Sequence, residues 1–493
     1  MEVVAEAASA EAALEAVGGE AGVEAGDVII YNIPYGTGSH APDMAIVMPA
    51  FYEDELVGYV VTKAHLTDIG AKNPFCSDST DIFQEGMLFP GVKLYRRGEL
   101  VPDILKILLA NSRAPQAVEG DVMAEIASCR AGLGELIRIV DRFGLQVFTN
   151  CVERMYDHGE AMTRDFIRQI PDGIYRATGH LDNDGIDDEA ISFEVVLTVE
   201  DDLVRFDLSG VPDANRGPLN CPFPATVSAC RIVLAMLAGS ETPNEGHFRP
   251  LEVITRAGSM FHPVLPQPSF MWGWPCESLL EAMFQALSQA LPGVVPSGTA
   301  GDVVACSIHT FDQQSGELQV VAPRIPVGSG ALPHADGSTL YHPTVSMSRL
   351  SSAELEEVKA PFVQIERWEF TPDSAGAGEF RGGMGWELDL RVLTDVEMMT
   401  TVERTKVPSW GQAGGGSGQP NGVVLRYPDG RTESTTKITG VQLPEQSVVS
   451  IRAGGGGGYG DPADRAADAV LRDLESGLIT EERARALYPH AFA

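Results

Sequence analysis

The sequence predicts a mixed α+β fold of several domains, with an N-terminal β-hairpin, central helical segments and a glycine-rich, β-rich C-terminal half. Three observations predict this class. The chain has 493 residues, enough for roughly two to four domains. Its 52 glycines and 32 prolines are typical of a loop-rich, sheet-containing protein. Apolar residues recur at helical spacing between residues 102 and 170, whereas residues 300–460 resemble a series of short strands.

Shifts in composition divide the chain into five segments. Each shift coincides with a change in the predicted type of secondary structure. The segments are an Ala/Glu-rich helical leader (1–25), a hairpin with a helical segment (26–173), an α/β segment (174–300), a strand- and glycine-rich segment (301–460) and C-terminal helices (461–493).

The first predicted elements are a leader helix, a strand and the hairpin. Residues 2–17 are rich in Ala and Glu, which favour helix. Asp27–Tyr31 is a short β-prone run. Met44–Tyr52 and Leu56–Thr62 are also apolar and β-prone, and the acidic residues 53–55 between them predict the turn of a hairpin.

Further elements follow from the same patterns of periodicity and capping. One predicted helix begins near Ile104, and a second carries an apolar stripe over 126–140. Further predicted helices span about 151–170, 224–238, 277–291 and 464–475, and Asp461 and Thr480 are the expected N-caps near the C-terminus. The predicted strands are 92–95, 191–199, 203–208, 318–322, 362–370, 386–392, 397–403, 422–427 and 447–452.

The charge of the chain excludes several classes of partner. Lys and Arg number 35 and Asp and Glu number 69, so the net charge is −34. Such a surface repels nucleic acids and anionic membranes. The seven cysteines form no CxxC pair, the N-terminus is acidic, and no run of 18 apolar residues occurs. We therefore expect a cytoplasmic protein with no membrane span.

His40, Asp43 and His65 are the strongest candidates for a functional site. With the turn centred on Asp54, residue i pairs with residue 108 − i, so Asp43 faces His65 with Cβ atoms about 5 Å apart. His40 lies just before the strand, within reach of the same point. Two imidazoles and a carboxylate can hold a divalent metal and leave a coordination position open. The alternative is that His40 caps a turn, Asp43 begins a strand, and His65 is an ordinary histidine at the end of a strand.

Three glycine runs raise the question of nucleotide binding. They lie at 382–385, 414–418 and 454–458. None ends in Gly-Lys-Ser/Thr, and none opens a clear strand-to-helix unit. Loops that need positive φ or close backbone approach explain them better than phosphate binding does.

Two polar segments are weaker candidates. Asn244–Pro250 concentrates polar groups in a turn-like segment that either faces a cleft or forms a structural loop. Asp78, Asp81 and Glu85 follow His65 and could assist a metal site, although an acidic loop is the default in an acidic protein.

A series of short motifs spans nearly the whole chain. The motifs are Gly26-Asp27-Val28, residues 34–43 (Pro-Tyr-Gly-Thr-Gly-Ser-His-Ala-Pro-Asp), 63–70 (Lys-Ala-His-Leu-Thr-Asp-Ile-Gly), 83–86, 91–95, 109–113, 216–220, 244–250 and 454–462. In this order they resemble the B-type component of the hydantoinase/oxoprolinase family, the group that includes N-methylhydantoinase B and the metal-bearing large subunit of acetone carboxylase.

The resemblance implies a two-component, ATP-dependent enzyme that forms a hetero-oligomer. ATP is bound by an A-type partner subunit, which phosphorylates a substrate oxygen, and the B-type component completes the reaction. His40, Asp43 and His65 match the family's His-x-x-Asp pair and later histidine, which bind a divalent metal, here Zn, Mn or Fe. We assign Asp68 and Glu85 to catalytic support, either behind the metal ligands or in proton handling.

Three functions agree with this resemblance. The first is the B-type component of a cyclic-amide hydrolase that opens a lactam or hydantoin. The second is the equivalent subunit of a ketone carboxylase, and the third is a non-catalytic paralogue. Two departures suggest the third: Ile33 stands where the family has Asp, and the Ala/Glu-rich leader does not resemble the upstream segment that supplies an acidic ligand in relatives. We expect either a ligand from another chain or an incomplete site.

Overall fold

The structure is a computed structural model that describes residues 22–239, 242–302, 304–312, 316, 318–323, 325–340 and 352–492. The predicted leader helix, residues 2–17, lies outside the described residues. The chain forms two compact units. Unit 1 comprises the chain up to Gly173 together with Thr198–Trp272, and unit 2 comprises Ile174–Leu197 together with Gly273–Ala493.

Unit 1 is built on a five-stranded antiparallel sheet. Its spatial order is β3-β2-β1-β4-β5, so the predicted hairpin forms one edge. The first strand pairs with both the hairpin and β4, which places it at the centre. The strands are β1 Val28–Tyr31, β2 Asp43–Tyr52, β3 Glu55–His65, β4 Pro90–Arg96 and β5 Glu99–Leu100.

The pairing of β2 with β3 follows the predicted register over most of the hairpin. Asp43 lies opposite His65 and Ala50 lies opposite Gly58, so the two numbers in each pair add to 108. Because side chains alternate between the faces of a strand, this register puts Asp43 and His65 on the same face at the open end of the hairpin.

The turn of the hairpin is shorter than the predicted 53–55. Only Glu53–Asp54 connects the strands, and beside the turn Phe51 pairs with Leu56, so the numbers there add to 107. A bulge leaves Val57 without an opposing residue and restores the sum of 108. The register at the candidate site therefore depends on the bulge as well as on the turn.

A long helix covers one face of this sheet. It packs on both strands of the hairpin. Val118, Val122 and Ile126 from the helix are buried in one cluster with Met44 and Ile46 from β2. Each of these aliphatic side chains contributes about 1.5–3 kcal/mol by leaving water. The helix thereby fixes the hairpin that carries the candidate site.

The remaining elements of unit 1 surround this core. Strands β8 (Leu203–Asp207) and β9 (Leu251–Ile254) pair in parallel. The helices are α1 Pro34–Thr37, α2 Pro102–Ala110, α3 Pro115–Phe143 (the long helix described above), α4 Leu145–Ile167 and α5 Phe223–Ala238, with 3₁₀ helices at Ile82–Gln84 and Glu245–Phe248.

Unit 2 contains two antiparallel sheets that share one hydrophobic core. The sheet orders are β11-β10-β14-β17 and β12-β13-β18-β15-β16. Ile308 and Met398 of the first sheet lie in the same buried cluster as Leu388 and Ile451 of the second. The strands are β10 Ala305–Phe311, β11 Leu318–Val321, β12 Val363–Thr371, β13 Gly385–Val392, β14 Val396–Thr401, β15 Gly422–Arg426, β16 Thr432–Thr435, β17 Lys437–Leu443 and β18 Val448–Ala453.

Further strands and helices accompany these sheets along the described part of the chain. Strands β6 (Gly173–Leu181) and β7 (Ile191–Glu200) precede β8. The helices are α6 Gly273–Ala290, α7 Ala353–Lys359, α8 Ala467–Glu475 and α9 Glu481–Leu487, with 3₁₀ helices at Pro462–Asp464 and Pro489–Phe492. Among the described residues, no helix combines the length and apolar character needed to cross a membrane.

The predicted α+β class is confirmed, and individual bounds are corrected. Thr480 caps α9 as predicted, with its side chain accepting from the backbone N–H of Arg483. Asp461 instead caps the 3₁₀ helix at Pro462–Asp464, and α8 begins only at Ala467. Helix α4 begins at Leu145 rather than near residue 151, because Gly144 adopts φ 83° and separates it from α3.

Candidate metal centre

Two imidazoles and a carboxylate meet where β2 begins and β3 ends. His40 Nε2 lies 2.9 Å from Asp43 Oδ1 and 3.0 Å from His65 Nδ1. Asp43 Oδ1 lies 3.1 Å from His65 Nδ1. The structure thus brings together the three residues that the hairpin register selects. The His65 side chain is 36% exposed, so the triangle of donor atoms has one open side.

The segment before β2 folds so that the side chains of His40 and Asp43 face the same site. The backbone N–H of Asp43 donates to His40 O over 3.1 Å, which closes a turn between them. Asn32, just after β1, donates from Nδ2 to Ala41 O over 2.7 Å and accepts from the backbone N–H of Phe89 over 2.6 Å. These bonds tie the segment to the centre of the sheet.

Two of the candidate ligands, His40 and Asp43, are each oriented by a hydrogen bond on the side away from the triangle. His40 Nδ1 lies 2.6 Å from Phe270 O, and because a carbonyl only accepts, Nδ1 carries the proton and the Nε2 lone pair faces the triangle. The Ser39 hydroxyl donates to Asp43 Oδ2, and Lys63 Nζ donates to Ser39 Oγ over 3.1 Å. Asp43 Oδ1 therefore remains directed at the two histidines.

Aromatic rings form an apolar wall beside the triangle. Phe75 stacks on His65, with ring centroids 5.9 Å apart and planes 15° apart. Phe270 and Trp272 present edges to His40, with centroids at 5.5 and 6.2 Å. Rings in these positions reduce the access of water and strengthen electrostatic interactions within the site.

The triangle stabilises positive charge, which either a proton on His40 or a metal ion in its place can supply. Burial alone lowers the pKa of His40, but attraction and hydrogen bonding to Asp43 outweigh burial, and this pKa lies above its usual value. Burial alone raises the pKa of Asp43, but the two imidazoles outweigh it and hold this pKa well below the usual value. Asp43 is therefore ionised at neutral pH, and it faces two nitrogens.

The spacing of the donor atoms fits a divalent metal. Bonds of about 2.0–2.2 Å at angles of about 90–109° place neighbouring ligand atoms about 2.8–3.6 Å apart. The three separations of 2.9, 3.0 and 3.1 Å lie in this range. Among the described residues, these three form the one group of three or more His, Cys, Asp or Glu with ligand atoms within 4.8 Å of one another.

Glu85 reaches the triangle through the backbone rather than by contact. Its Oε1 accepts from Ser79 Oγ over 2.8 Å and from the backbone N–H groups of Ser269 and Phe270 over 2.8 and 2.9 Å. Because Phe270 O holds His40, these bonds also hold the imidazole. Glu85 Oε2 is buried and has no hydrogen-bond partner among the described residues, and burial raises the pKa of Glu85 to about 7.

Asp68 is engaged by a different set of groups. Its side chain is completely buried, and Oδ1 accepts from Arg113 Nη2 over 2.5 Å and from the Gly70 backbone over 3.2 Å. Arg113 Nε donates to Oδ2 over 3.0 Å. Both oxygens are therefore used in joining two loops, and Asp68 is not part of the triangle. Its catalytic role stays a prediction.

The weaker candidates have structural partners. Asp78 pairs with Lys72 over 2.8 Å, and Asp81 caps the 3₁₀ helix at Ile82–Gln84. Asn244–Pro250 contains a second 3₁₀ helix, in which Asn244 and His247 cap each other reciprocally. The structural-loop explanation accounts for these contacts.

Some residues around the site carry no recognisable sequence signal. Phe270 lies 230 residues beyond His40, and its contact uses a backbone carbonyl that any residue would supply. Phe75 falls in a polar loop. Lys63 and Ser39, by contrast, lie within the motifs. The hairpin register places Lys63 two pairs away from His65 and therefore on the same face, which the sequence alone could predict.

Comparison with known proteins connects this geometry to a family. A family model described as Hydantoinase B/oxoprolinase matches residues 2–462. The B component of a candidate D-/L-hydantoinase from Pseudomonas sp. (strain NS671) is 31% identical over 484 residues, covering 94% of this chain and 80% of that protein. The beta subunit of the caprolactamase from Pseudomonas jessenii is 31% identical over 480 residues, covering 94% and 82%.

Two solved structures share the fold. The ATP-dependent caprolactamase from Pseudomonas jessenii superposes with a TM-score of 0.87 at 29% identity, over 94% of this chain and 83% of that chain. A nucleotide-free acetone carboxylase superposes with a TM-score of 0.85 at 20% identity, over 95% and 69%. The second likeness, at this identity, establishes the shared fold alone.

Proposed function

The chain belongs to the hydantoinase B/oxoprolinase family, and we propose that it is the B-type component of an ATP-dependent enzyme that opens a cyclic amide. We further propose that His40, Asp43 and His65 hold a divalent metal at its reaction centre. The observation that carries the proposal is the triangle of two imidazole nitrogens and one carboxylate oxygen with edges of 2.9, 3.0 and 3.1 Å.

The proposed chemistry assigns different tasks to metal and protein. A divalent metal at this position supplies a Lewis acid, which polarises an oxygen and makes water easier to deprotonate. Asp43 provides the negative charge of the site, and the hydrogen-bonded Ser39 and Lys63 keep its carboxylate in one orientation. Phe270 O keeps His40 in the tautomer whose free nitrogen faces the site.

The aromatic wall suits a substrate with an apolar ring. Phe75, Phe270 and Trp272 line the site beside the polar triangle. A lactam or hydantoin combines a polar amide with an apolar or weakly polar ring, so both kinds of surface have a counterpart on the protein. Exclusion of water by these rings also confines hydrolysis to activated substrate.

Activation of the substrate is assigned to a partner. The hydantoinase and caprolactamase relatives are by name subunits, and the solved caprolactamase is ATP-dependent. The glycine runs of this chain are packed backbone rather than open phosphate loops, as the hydrogen bonds between Gly456, Gly376 and Gly383 indicate. We therefore propose that ATP is held by an A-type subunit, which phosphorylates the amide oxygen before hydrolysis.

A cyclic-amide hydrolase is preferred to a ketone carboxylase. Identity is 31% to both the hydantoinase-type and the caprolactamase subunits, whereas the acetone carboxylase structure is 20% identical and supports the fold alone. The retained triangle also weighs against a non-catalytic paralogue. A carboxylase and a paralogue are the alternative outcomes of the experiment.

The test combines metal analysis with a substrate screen. The chain is co-expressed with an A-type subunit, and ATP hydrolysis is measured with lactams and hydantoins, and with ketones plus bicarbonate. We expect about one divalent metal per chain and ring opening that requires ATP. Bicarbonate-dependent turnover of ketones would assign the carboxylase instead, and absence of both metal and turnover would assign the paralogue.

Replacing one candidate ligand tests the site itself. We expect His65→Ala to lose bound metal and to reduce turnover at least about 1000-fold, because two of three ligands cannot hold the ion in place. His158→Ala, which changes an exposed histidine on α4, is the matched control and should retain both. Full metal content and turnover in His65→Ala would refute the assignment.

A further inference from the structure

Unit 2 contains a polar cavity, and its lining residues include none of those that form the candidate metal centre. Its volume is about 380 Å³. Strand β6, helix α6 and the segment 404–410 supply its walls. This volume lies in the range of small-molecule sites in proteins. The polar groups that matter here are Arg176, His180, Glu281, Arg404 and Trp410.

Arg404 lines this cavity with unused hydrogen-bond donors. Its side chain is only 12% exposed and donates no hydrogen bond among the described residues. Because Nε is fully buried, the donors available to a ligand in the cavity are those of Nη1 and Nη2. The carboxylate paired with it, Glu281 Oε2, lies 3.8 Å from Nη2, which is too long for a hydrogen bond. Because an unsatisfied buried donor is destabilising, and more so when it is charged, we expect a buried guanidinium in this state to bind an acceptor.

Glu281 is already engaged by other groups. Its Oε1 accepts from Thr299 Oγ1 over 2.6 Å, and its Oε2 accepts from Trp410 Nε1 over 3.1 Å. Glu281 therefore fixes the indole and balances the charge of Arg404 from a distance. It does not saturate the planar set of N–H groups on the guanidinium, which is suited to bidentate oxyanions.

The backbone around Arg404 leaves space for the guanidinium. Gly301 adopts φ 54°, and a Cβ there would lie 3.0 Å from Arg404 Nε and Nη2. His180, on the opposite wall, contacts Ser192 Oγ through Nδ1 at 3.0 Å. Burial and the nearby Arg404 lower the pKa of His180, so the imidazole is neutral at pH 7 and leaves Arg404 as the buried cation of the cavity.

We propose that this cavity binds a small organic anion, whose carboxylate or phosphate group accepts hydrogen bonds from Arg404. Ala177, Ala282 and Val407 supply apolar surface for the carbon part of the ligand. Arg176 stands at the rim, 53% exposed and paired with Glu194, where it guides an anion into the cavity of an otherwise acidic chain. The inference does not depend on the metal-centred function.

Isothermal titration calorimetry on the full chain tests this site with two probes, inorganic phosphate and benzoate. We expect saturable binding of at least one probe, and binding weakened at least about tenfold in Arg404→Met, which removes the donors but keeps most of the volume. Arg431→Met, which changes an exposed arginine of unit 2, is the matched control and should bind like the parent chain. Binding of benzoate alone assigns an organic carboxylate, and binding of phosphate alone assigns a phosphate group.

Two results would overturn the proposal. One is the absence of saturable heat from both probes up to about 10 mM. The other is equal affinity in Arg404→Met and the parent chain. Gly301→Ala provides a second variant, because its methyl group displaces the guanidinium without removing it, and it should weaken binding in the same direction. His65→Ala should leave the affinity unchanged, which separates this site from the metal proposal.

Discussion

At the scale of single residues, Glu85 contributes to the candidate metal centre through the backbone of Phe270. One of its oxygens accepts from the backbone N–H groups of Ser269 and Phe270, and the carbonyl oxygen of Phe270 fixes the tautomer of His40. Removal of a group that orients a metal ligand in this way typically weakens metal binding by about 10–100-fold. This arrangement explains a buried carboxylate beside the site without requiring it to exchange protons with substrate.

A pair of variants separates positioning from proton handling at Glu85. Glu85→Ala should weaken metal binding about 10–100-fold, because Phe270 O is no longer held. Glu85→Gln keeps an oxygen for all three hydrogen bonds and should change metal affinity less than about threefold. The measurement is competition with a chelator, together with turnover in the complex. Turnover lost in Glu85→Gln at unchanged metal affinity would show that the carboxyl group handles protons.

Glu125 is a second buried carboxylate, and it affects stability rather than the site. It is 6% exposed on α3, and neither of its oxygens has a hydrogen-bond partner among the described residues. Burial, with smaller contributions from Asp121 and Asp43, raises its pKa to about 8. The native chain therefore keeps a proton between about pH 4.5 and 8 that the unfolded chain releases, and stability falls as pH rises through this window.

Glu125→Gln should remove this loss of stability. At about pH 8.5 we expect the variant to be more stable than the parent chain by about 4–5 kcal/mol, and at about pH 5 the two should be nearly equal. The measurement is urea unfolding at both pH values. Glu119→Gln, an exposed change on the same helix, is the control and should have no pH-dependent effect. A constant difference at both pH values would contradict the titration of Glu125.

At the scale of elements, the glycine runs are explained by close packing of backbone. Gly376 N donates to Gly456 O over 2.8 Å, Gly456 N donates to Gly383 O over 3.0 Å, and Gly458 N donates to Gly416 O over 2.9 Å. Of the residues at 382–385, 414–418 and 454–458, Gly414 alone has positive φ. Lack of side chains, rather than unusual backbone angles, is therefore what these positions require.

Gly456→Ala tests this explanation. A Cβ at Gly456 would lie 1.8 Å from Ser329 O, which belongs to backbone and cannot move alone. We expect a loss of at least about 3 kcal/mol in the free energy of unfolding, measured by chemical denaturation. Gly134→Ala, on an exposed turn of α3 with no neighbour within 4 Å, should instead stabilise by about 0.5–1 kcal/mol. A neutral Gly456→Ala would mean that the runs are open loops.

Hairpin register was predictable from the sequence because it depends on local pattern. The pairing of Asp43 with His65 follows from two β-prone runs and a turn, although the bulge at Val57 was not foreseen and compensates for the shorter turn. The α+β class and most strands of unit 2 followed from periodicity. These features are encoded within windows of about 10–25 residues.

Elements that break the pattern were missed for physical reasons. Strand β17 was not predicted, because Gly440 adopts φ 73° within it and Lys437 is 1% exposed, contrary to the usual rule for lysine. Its ammonium pairs with Glu403 at 2.6 Å, a partner supplied by a distant segment. Likewise, the contact between Phe270 and His40 depends on tertiary structure, and no local signal encodes it.

At the scale of the whole molecule, the dominant feature is the net charge of −34. Charge of one sign repels itself in the compact state and lowers stability, while it keeps the chain soluble. It also gives a basic surface on a partner subunit an electrostatic advantage in association. The strength of both effects depends on screening, since the Debye length falls from about 30 Å at 0.01 M salt to about 10 Å at 0.1 M.

Stability of the chain should therefore rise with salt and then level off. We expect the unfolding temperature to increase by several degrees between about 0.01 and 0.15 M NaCl, and to change little above about 0.3 M, because screening within the molecule is then nearly complete. Differential scanning calorimetry measures the shift. At about pH 5, where part of the 69 acidic residues bind protons, net charge is smaller and the same salt should have less effect. An unfolding temperature that stays flat or falls at neutral pH would show that local ion pairs, which salt weakens, outweigh the repulsion between like charges.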